Sequence, residues 1–233
     1  MIKLFEEFNV ESLKKMSKIV PVIHIIDWPQ VKYNVDMCHR NGVDFIFLIK
    51  HGGKAPIDKL IECFYNTKEL YPDLKVGVNF LQATTLESFK IANSMKITPD
   101  AIWSDVSHVN LDDLSIAEEI KKENYKNIQY FGSIAFKYQR QPSPDELKKL
   151  CKIAPNYMDV VTTSGPATGV AANITKIQNM KEWVGDAPMA IASGVNYGNK
   201  SVYSQYIDYL LVASSITDSS TELIIEPKLK ELL

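Results

Sequence analysis

Short apolar runs rich in β-branched residues alternate with longer amphipathic stretches along the chain. Eight of these runs predict β-strands because they are short and are bounded by polar or glycine-containing turns. The predicted strands cover 19–26, 44–49, 75–81, 101–105, 127–135, 159–163, 187–193 and 209–214. Helical spacing follows the strands near 30–41, 57–71, 84–96, 112–125, 143–154, 174–184, 199–206 and 222–232, and a short helix is predicted near 10–17.

Strict alternation of strands and helices predicts an α/β fold with a parallel sheet, because a crossover helix lets successive strands run the same way. Eight such units favour a closed (β/α)8 TIM barrel over an open sheet. No linker or low-complexity tract interrupts the pattern. We therefore expect one domain over 1–233, with the short N-terminal helix covering the bottom of the barrel.

Composition and charge narrow the class of partner. The chain has 26 Lys and Arg against 28 Asp and Glu, for a net charge of −2, and its lysine pairs are scattered, so no basic footprint for nucleic acid is visible. No apolar run is long enough to span a bilayer, and the first ten residues include two glutamates. We expect a cytoplasmic protein with no membrane span. Cys38, Cys63 and Cys151 lack CxxC spacing and are interpreted as reduced packing residues.

Three loops rich in small residues follow the last three predicted strands. The sixth strand continues into SGPATG (164–169), the seventh into Ser193-Gly194 and the eighth into Ser214-Ser215. In TIM barrels the ligand binds at the carboxyl ends of the strands, and late loops often hold phosphate. Glycines also let backbone N–H groups approach an anion. The sequence predicts phosphate binding here, with flexible connection as the alternative. The predicted ligand-binding residues are Ser164, Gly165, Thr168, Gly169, Ser193, Gly194, Ser214 and Ser215.

Alternation within strands predicts which polar residues point into the barrel. In the third strand the bulky Val76 and Val78 suit the helix side, which leaves Gly77 and Asn79 facing inward. Asn79 is therefore a further candidate ligand-binding residue, or alternatively a hydrogen-bonding partner of a neighbouring strand end. Gly194→Val is expected to block the approach of phosphate while the fold survives.

The same alternation in the fifth strand places Lys137 on the face of Ser133 and Ala135, at the top of the barrel. A lysine there holds a phosphate or carboxylate as a point charge, acts as a base or Schiff-base former when desolvated, or is a solvated surface residue, and the first role is favoured.

His24, Asp27 and Asp105 complete the predicted catalytic set with Lys137. His24 shares the inward parity of Val22, with a core histidine as the alternative. Asp27 and Asp105 follow strands one and four, where a carboxylate accepts a proton, binds a ribose hydroxyl, ligates Mg²⁺ or caps a helix. Mg²⁺ is thus the one cofactor considered.

Two further histidines, His51 and His108, lie in the loops after strands two and four, within reach of the same pocket. No HxH or HExxH spacing links the histidines, so no zinc site is predicted.

The segments VVTTSGPATG, IASGVNYGN, VPVIHI and VGVNFLQA resemble the BtpA/SgcQ family of TIM barrels, within the phosphate-binding barrel superfamily. Lys137 of SIAFKY falls where that family usually has a lysine. The segments IKHGGKAP, with Lys50, His51 and Lys54, and SDVSH depart from the family pattern. The resemblance implies the fold and a phosphate site, whereas the departures allow an altered substrate or a lost activity.

Together these observations predict a protein that binds a phosphorylated sugar or nucleotide at the carboxyl rim of the barrel. Acid–base chemistry on the sugar portion, by isomerisation, lyase cleavage or glycosidic-bond cleavage, is the expected activity. The alternative is a non-catalytic ligand-binding or assembly factor that retains the phosphate pocket. The sequence leaves homo-oligomer formation open.

Overall fold

The structure, a computed structural model, describes residues 17–50 and 56–233. Within them, eight parallel strands form a closed barrel in sequence order, and a helix follows each strand. The strands are β1 (Lys18–Ile25), β2 (Phe45–Lys50), β3 (Lys75–Asn79), β4 (Ala101–Ser104), β5 (Gln129–Ser133), β6 (Val160–Thr163), β7 (Met189–Ile191) and β8 (Tyr209–Val212). The predicted (β/α)8 barrel is confirmed, while the predicted helix 10–17 lies outside the described residues except for Ser17.

The helices pack around the barrel, and most begin within about three residues of the predicted positions. They are α1 (Trp28–Arg40), α2 (Ile57–Leu70), α3 (Thr85–Ser94), α4 (Ser115–Glu123), α5 (Pro144–Ile153), α6 (Ile174–Val184), α7 (Tyr197–Tyr203) and α8 (Glu226–Leu232). Capping boxes at Thr84 and Ser143 satisfy backbone N–H groups in the first turns of α3 and α5. None of the helices among residues 17–50 and 56–233 is long and apolar enough to cross a membrane.

Two apolar cores follow from strand alternation. One lies between the sheet and the helices and includes Val76 and Val78, as predicted. The other fills the barrel interior with aromatic side chains, among them Phe47 and Phe131, whose ring centroids are 5.1 Å apart. Gly77 leaves room for Phe47, because a Cβ at residue 77 would lie 2.3 Å from Cε1 of that ring. The interior core therefore blocks the lower barrel and leaves only its upper end for a ligand.

The three cysteines, Cys38, Cys63 and Cys151, are buried free thiols. Burial raises the pKa of Cys38 and of Cys151 to about 12. These thiols therefore stay protonated at neutral pH and serve packing.

The fifth strand is shorter than predicted, and the alternation used to orient Lys137 does not extend to that residue. β5 ends at Ser133, and Ala135 has a positive φ of 48° and packs with the outer core. Phe136 instead enters the interior core. Because the chain turns at Ala135, Lys137 belongs to the loop after β5, and its position there depends on the loop.

The last helix also begins later than predicted. Residues 222–225 lie outside α8, which starts at Glu226 with Pro227 in its first turn. Glu222 has a φ of 55°, and an isolated antiparallel bridge pairs Thr217 with Ile224. The segment between β8 and α8 is therefore a folded loop, and its apolar spacing reflects packing of that loop.

Candidate active site

A cavity of about 610 Å³ opens at the carboxyl ends of the strands. This volume is within the range typical of small-molecule sites. Apolar residues of the strands, including Val22, Trp103 and Leu211, form its floor, and polar residues of the following loops form its upper part. The cavity lies where ligands bind in TIM barrels.

Six of the eight loop residues predicted to bind ligand line this cavity. Thr168 and Gly169 follow β6, Ser193 and Gly194 follow β7, and Ser214 and Ser215 follow β8. We call these six residues the backbone rim, because their small side chains bring the main chain close to the cavity. The loops after three adjacent strands thus meet at one side of it.

Close packing between two loops shapes the middle of the backbone rim. Ser193 Oγ donates hydrogen bonds to the carbonyl oxygens of Ala167 and Val170, at 2.6 and 3.0 Å. Gly194 has a φ of 64°, and a Cβ there would lie 2.3 Å from the backbone nitrogen of Ala171. Gly194 is therefore required by the fold, contrary to the expectation that Gly194→Val leaves the fold intact.

Two other rim residues are less constrained by their neighbours: Gly169 borders open space, and the Ser215 hydroxyl has no hydrogen-bond partner among the described residues. Gly169 has a φ of 75°, and no atom lies within 4 Å of where its Cβ would be. Ser215 Oγ is buried without a hydrogen-bond partner among the described residues. Buried hydroxyls normally have a partner, so Ser215 is an exception within the backbone rim.

Ser164 and Gly165, also predicted to bind ligand, do not line the cavity. The buried Ser164 Oγ accepts a hydrogen bond from the Lys137 backbone N–H at 2.7 Å and donates one to the Gly165 carbonyl at 2.8 Å. A Cβ on Gly165 would lie 2.0 Å from the Val170 carbonyl oxygen. These two residues support the loops behind the cavity, because neighbouring backbone occupies the space where a ligand would approach.

Charged side chains line the side of the cavity formed by the first five strands. His24 comes from β1, Lys50 from β2, Asp105 follows β4 and Lys137 follows β5. We call these four residues the charged wall. His24, Asp105 and Lys137 are three of the four predicted catalytic residues, and the structure brings them to one cavity.

Asp105 is held by a buried amide. Asn79, which is 3 % exposed, donates from Nδ2 to Oδ1 of Asp105 at 3.2 Å. Burial raises the pKa of Asp105, while this hydrogen bond and the charge of Lys137 oppose the shift. Asn79 thus points inward as predicted but is a partner of Asp105, and it is not among the residues that line the cavity.

Lys137 is half-buried, and desolvation lowers its pKa although Asp105 partly restores it. Its ammonium lies 5.5 Å from the ring centroid of Phe136. A second lysine, Lys176, supports the loop by donating to the carbonyl oxygens of Ala135, at 2.7 Å, and Ser164, at 3.1 Å. Burial lowers the pKa of Lys176 to about 8. The sequence analysis did not identify Lys176, because it lies within an amphipathic helical pattern.

His24 is paired with a carboxylate that the sequence analysis missed. Its Nδ1 lies 3.1 Å from Oε2 of Glu222, in the loop between β8 and α8. Gln30 and Asn34 donate to the Glu222 carbonyl at 3.2 and 2.9 Å and thereby fix that loop. A carboxylate at Nδ1 favours the proton on that nitrogen and orients the ring. Glu222 is 198 residues from His24 in sequence, and no motif links them.

The remaining predicted residues do not join this group. Asp27 caps α1, where its carboxylate accepts from the Gln30 backbone N–H at 2.9 Å, and it does not line the cavity. The helix N-cap, left open as its alternative role, therefore accounts for its geometry. His108 lies outside the cavity, and desolvation lowers its pKa. His51 and Lys54 lie outside the described residues.

Another lysine missed by the sequence analysis, Lys228 of α8, also lines the cavity. Across residues 17–50 and 56–233, no three His, Cys, Asp or Glu side chains are grouped so that they could hold a metal ion. Asp105 is the one carboxylate residue among the described lining residues, so an Mg²⁺ ion there would lack a second carboxylate ligand.

No family model matches this chain. A curated relative, an uncharacterised protein of Methanocaldococcus jannaschii, is 28% identical over 151 residues, or 61% of this chain. That alignment spans 57% of the relative's length, little more than half. The resemblance to the BtpA/SgcQ family therefore stays a prediction.

Solved structures with the same fold cover nearly the whole chain. Thiamine phosphate pyrophosphorylase from Pyrococcus furiosus matches with a TM-score of 0.62 at 15% identity, over 94% of this chain and 95% of that one. Phosphoribosyl anthranilate isomerase from Thermus thermophilus matches with a TM-score of 0.64 at 11% identity, over 92% of this chain and 96% of that one. The 2-keto-3-deoxy-6-phosphogluconate aldolase of Zymomonas mobilis matches with a TM-score of 0.63 at 13% identity, over 96% of this chain and 95% of that one. At these identities the similarity shows the TIM-barrel fold alone.

Proposed function

We propose that this chain binds a phosphorylated sugar or nucleotide in the cavity at the carboxyl rim and acts on the sugar portion by acid–base chemistry. The observation that carries the proposal is that the backbone rim, three lysines and an acid–base set line one cavity. The phosphate binds against the backbone rim and Lys228, where main-chain donors and an ammonium group meet. Its sugar then lies over the floor, within reach of the charged wall.

In this arrangement His24 exchanges a proton with the ligand, because Glu222 orients its ring and stabilises the imidazolium form. Asp105 exchanges a second proton, since burial raises its pKa towards the working pH. Lys137 stabilises negative charge that develops on a sugar oxygen. Isomerisation, lyase cleavage and glycosidic-bond cleavage all need such a pair of proton-transfer groups, so the reaction type remains open within this set.

The names of the structural neighbours agree with this class of substrate. They include a thiamine phosphate pyrophosphorylase, a phosphoribosyl anthranilate isomerase and a phosphogluconate aldolase. Each of these names contains a phosphorylated compound. They support a phosphorylated ligand in general and do not select one.

The first test is a thermal-shift screen with inorganic phosphate, phosphorylated sugars and nucleotides, and the same compounds without phosphate. Binding to the folded state raises stability by RT ln(1 + [L]/Kd), or about 2.7 kcal/mol at a hundred times Kd. We expect only the phosphorylated compounds to stabilise the protein. We also expect Lys228→Met to reduce the shift, with Lys149→Met on the exposed face of α5 as the matched control.

Turnover separates an enzyme from a binding protein. Compounds that stabilise the chain are incubated with the parent and with His24→Asn, and products are followed by NMR. Loss of product formation in the variant with retained binding supports the acid–base role. Binding without turnover in the parent would favour the non-catalytic alternative, and equal stabilisation by the dephosphorylated compounds would contradict the phosphate site.

A further inference from the structure

The three lysines of the cavity come from separated points around it. Lys50 ends β2, Lys137 follows β5, and Lys228 lies in α8, which follows β8. In the closed barrel, three strand steps separate β2 from β5, three separate β5 from β8, and two separate β8 from β2. Neighbouring strands are about 4.8 Å apart, so three steps correspond to about 14 Å of wall. The three lysines therefore enter the cavity from separate elements, and at least Lys50 and Lys137 lie on separate parts of its wall.

Local contacts keep two of the ammonium groups apart. Lys50 Nζ donates to Oε1 of Gln82 at 2.9 Å, which holds it towards β3 and away from β8. Lys137 lies over the Phe136 ring and interacts with the charge of Asp105. These contacts oppose the convergence of the three lysines on a single anion.

Among the described lining residues, the three lysines of the cavity share a single carboxylate. Asp105 is the one carboxylate residue among the described lining residues, and its charge acts on Lys137. Lys50 and Lys228 therefore face the cavity from different sides with no carboxylate beside them among those residues. A concave site with two uncompensated positive charges attracts anionic groups at both places.

We infer that the ligand carries two anionic groups, namely a phosphate at the backbone rim and Lys228, and a second phosphate or a carboxylate at Lys50. This inference rests on the proposed function, because it takes the phosphate position from it and adds the second group. The reacting carbons then lie between the two anionic ends, beside His24, Asp105 and Lys137. A small sugar derivative with two such ends fits within a cavity of about 610 Å³.

Calorimetric titration with two matched pairs of compounds tests the inference. Fructose 6-phosphate and fructose 1,6-bisphosphate differ by a second phosphate, whereas glucose 6-phosphate and 6-phosphogluconate differ by a carboxylate. Inorganic phosphate is the reference for the first subsite. We expect at least one doubly anionic compound to bind about tenfold more tightly than its partner, as one charge-assisted hydrogen bond provides. The pair that shows the difference identifies the second group as phosphate or carboxylate.

Three variants assign the two subsites. We expect Lys50→Met to remove the advantage of the doubly anionic compound while the affinity for inorganic phosphate is unchanged. Lys228→Met is expected to lower the affinity for inorganic phosphate and for all four sugar phosphates. Lys149→Met, an exposed lysine of α5, is expected to change none of these affinities. Melting temperatures of all variants verify that each protein is folded.

The possible results separate this inference from the proposed function. If inorganic phosphate binds and Lys228→Met weakens it, but neither pair shows an advantage, the second subsite is wrong and the first stands. If Lys50→Met still binds the doubly anionic compound more tightly than its partner, the assignment of the second subsite to Lys50 is wrong. If the parent binds neither inorganic phosphate nor the sugars, the proposed function fails, and this inference fails with it.

Discussion

The backbone rim and the charged wall are opposite sides of one cavity, built by different means. Glycine and small hydroxyl residues form the rim, and loop-to-loop contacts such as those of Ser193 and Gly194 fix its shape. The wall instead consists of long or ionisable side chains, and distant partners such as Asn79 and Glu222 hold two of them. The rim is therefore sensitive to added volume, whereas the wall is sensitive to charge and protonation.

This difference assigns phosphate recognition to the backbone rim and proton transfer to the charged wall under the proposed function. Main-chain donors recognise a phosphate group whatever molecule carries it, because they contact only its oxygens. Ionisable side chains in a partly buried site can exchange protons and stabilise developing charge. We therefore expect substitutions in the rim to act through folding and phosphate affinity, and substitutions in the wall to act through charge.

The largest expected effect compares the two rim glycines. Gly194→Ala adds a Cβ against the Ala171 backbone at a positive φ, so we expect a loss of about 3 kcal/mol in the free energy of unfolding. Gly169→Ala has the same backbone cost but open space for the Cβ, and we expect a loss of about 1 kcal/mol. Urea unfolding measures both. Equal losses would contradict the packing role assigned to Gly194.

Lys137→Met tests the charged wall. The methionine keeps most of the apolar stem, and the backbone hydrogen bond to Ser164 does not depend on the side chain, so stability should change little. Loss of a charge-assisted hydrogen bond should reduce affinity for the best ligand of the thermal-shift screen by about ten- to a hundredfold. Calorimetry measures this affinity, and an unchanged value would make Lys137 a structural residue.

Ser215→Ala tests whether the partnerless hydroxyl of the rim serves a ligand. In the ligand-free protein the substitution should be neutral or slightly stabilising, because it removes a buried group without a partner. Phosphate affinity should fall by about fivefold for the loss of about 1 kcal/mol of hydrogen bonding. Thr162→Val, which removes another buried hydroxyl without a partner, is the control and should leave affinity unchanged. Similar affinity losses in both variants would argue against a direct contact by Ser215.

The smallest expected effect is the pH dependence contributed by Asp105. Because burial raises its pKa, the folded protein retains this proton at a pH where the unfolded chain has lost it. The contribution of Asp105 to stability is therefore greatest at low pH and declines as pH rises from the unfolded value, about 3.9, through the folded value. We expect Asp105→Asn to flatten this decline. Urea unfolding over a pH series measures the slopes, and identical slopes would show that the environment of Asp105 does not alter its titration.

Much of the fold and nine of the residues that line the cavity could be predicted from sequence. Strand and helix periodicity predicted the barrel, and the Gly- and Ser-containing segments predicted six cavity-lining residues, because both signals are local. Ser164 and Gly165 carried the same local signal but support the loops, since only packing against Val170 decides which small residues face the cavity. Asp27 likewise followed a strand as predicted, and its hydrogen bond to Gln30 makes it a cap.

The sequence by itself determined the alternating elements, the inward direction of Asn79 and the small residues of the late loops. Tertiary structure alone decided that Glu222 contacts His24, that Lys228 lines the cavity and that Lys137 reaches the cavity from a loop held by Lys176. The physical reason is the sequence separation over which each kind of interaction acts. Periodicity and turn chemistry act between neighbours in the chain, whereas closure of the barrel brings together side chains almost 200 residues apart, as at His24 and Glu222.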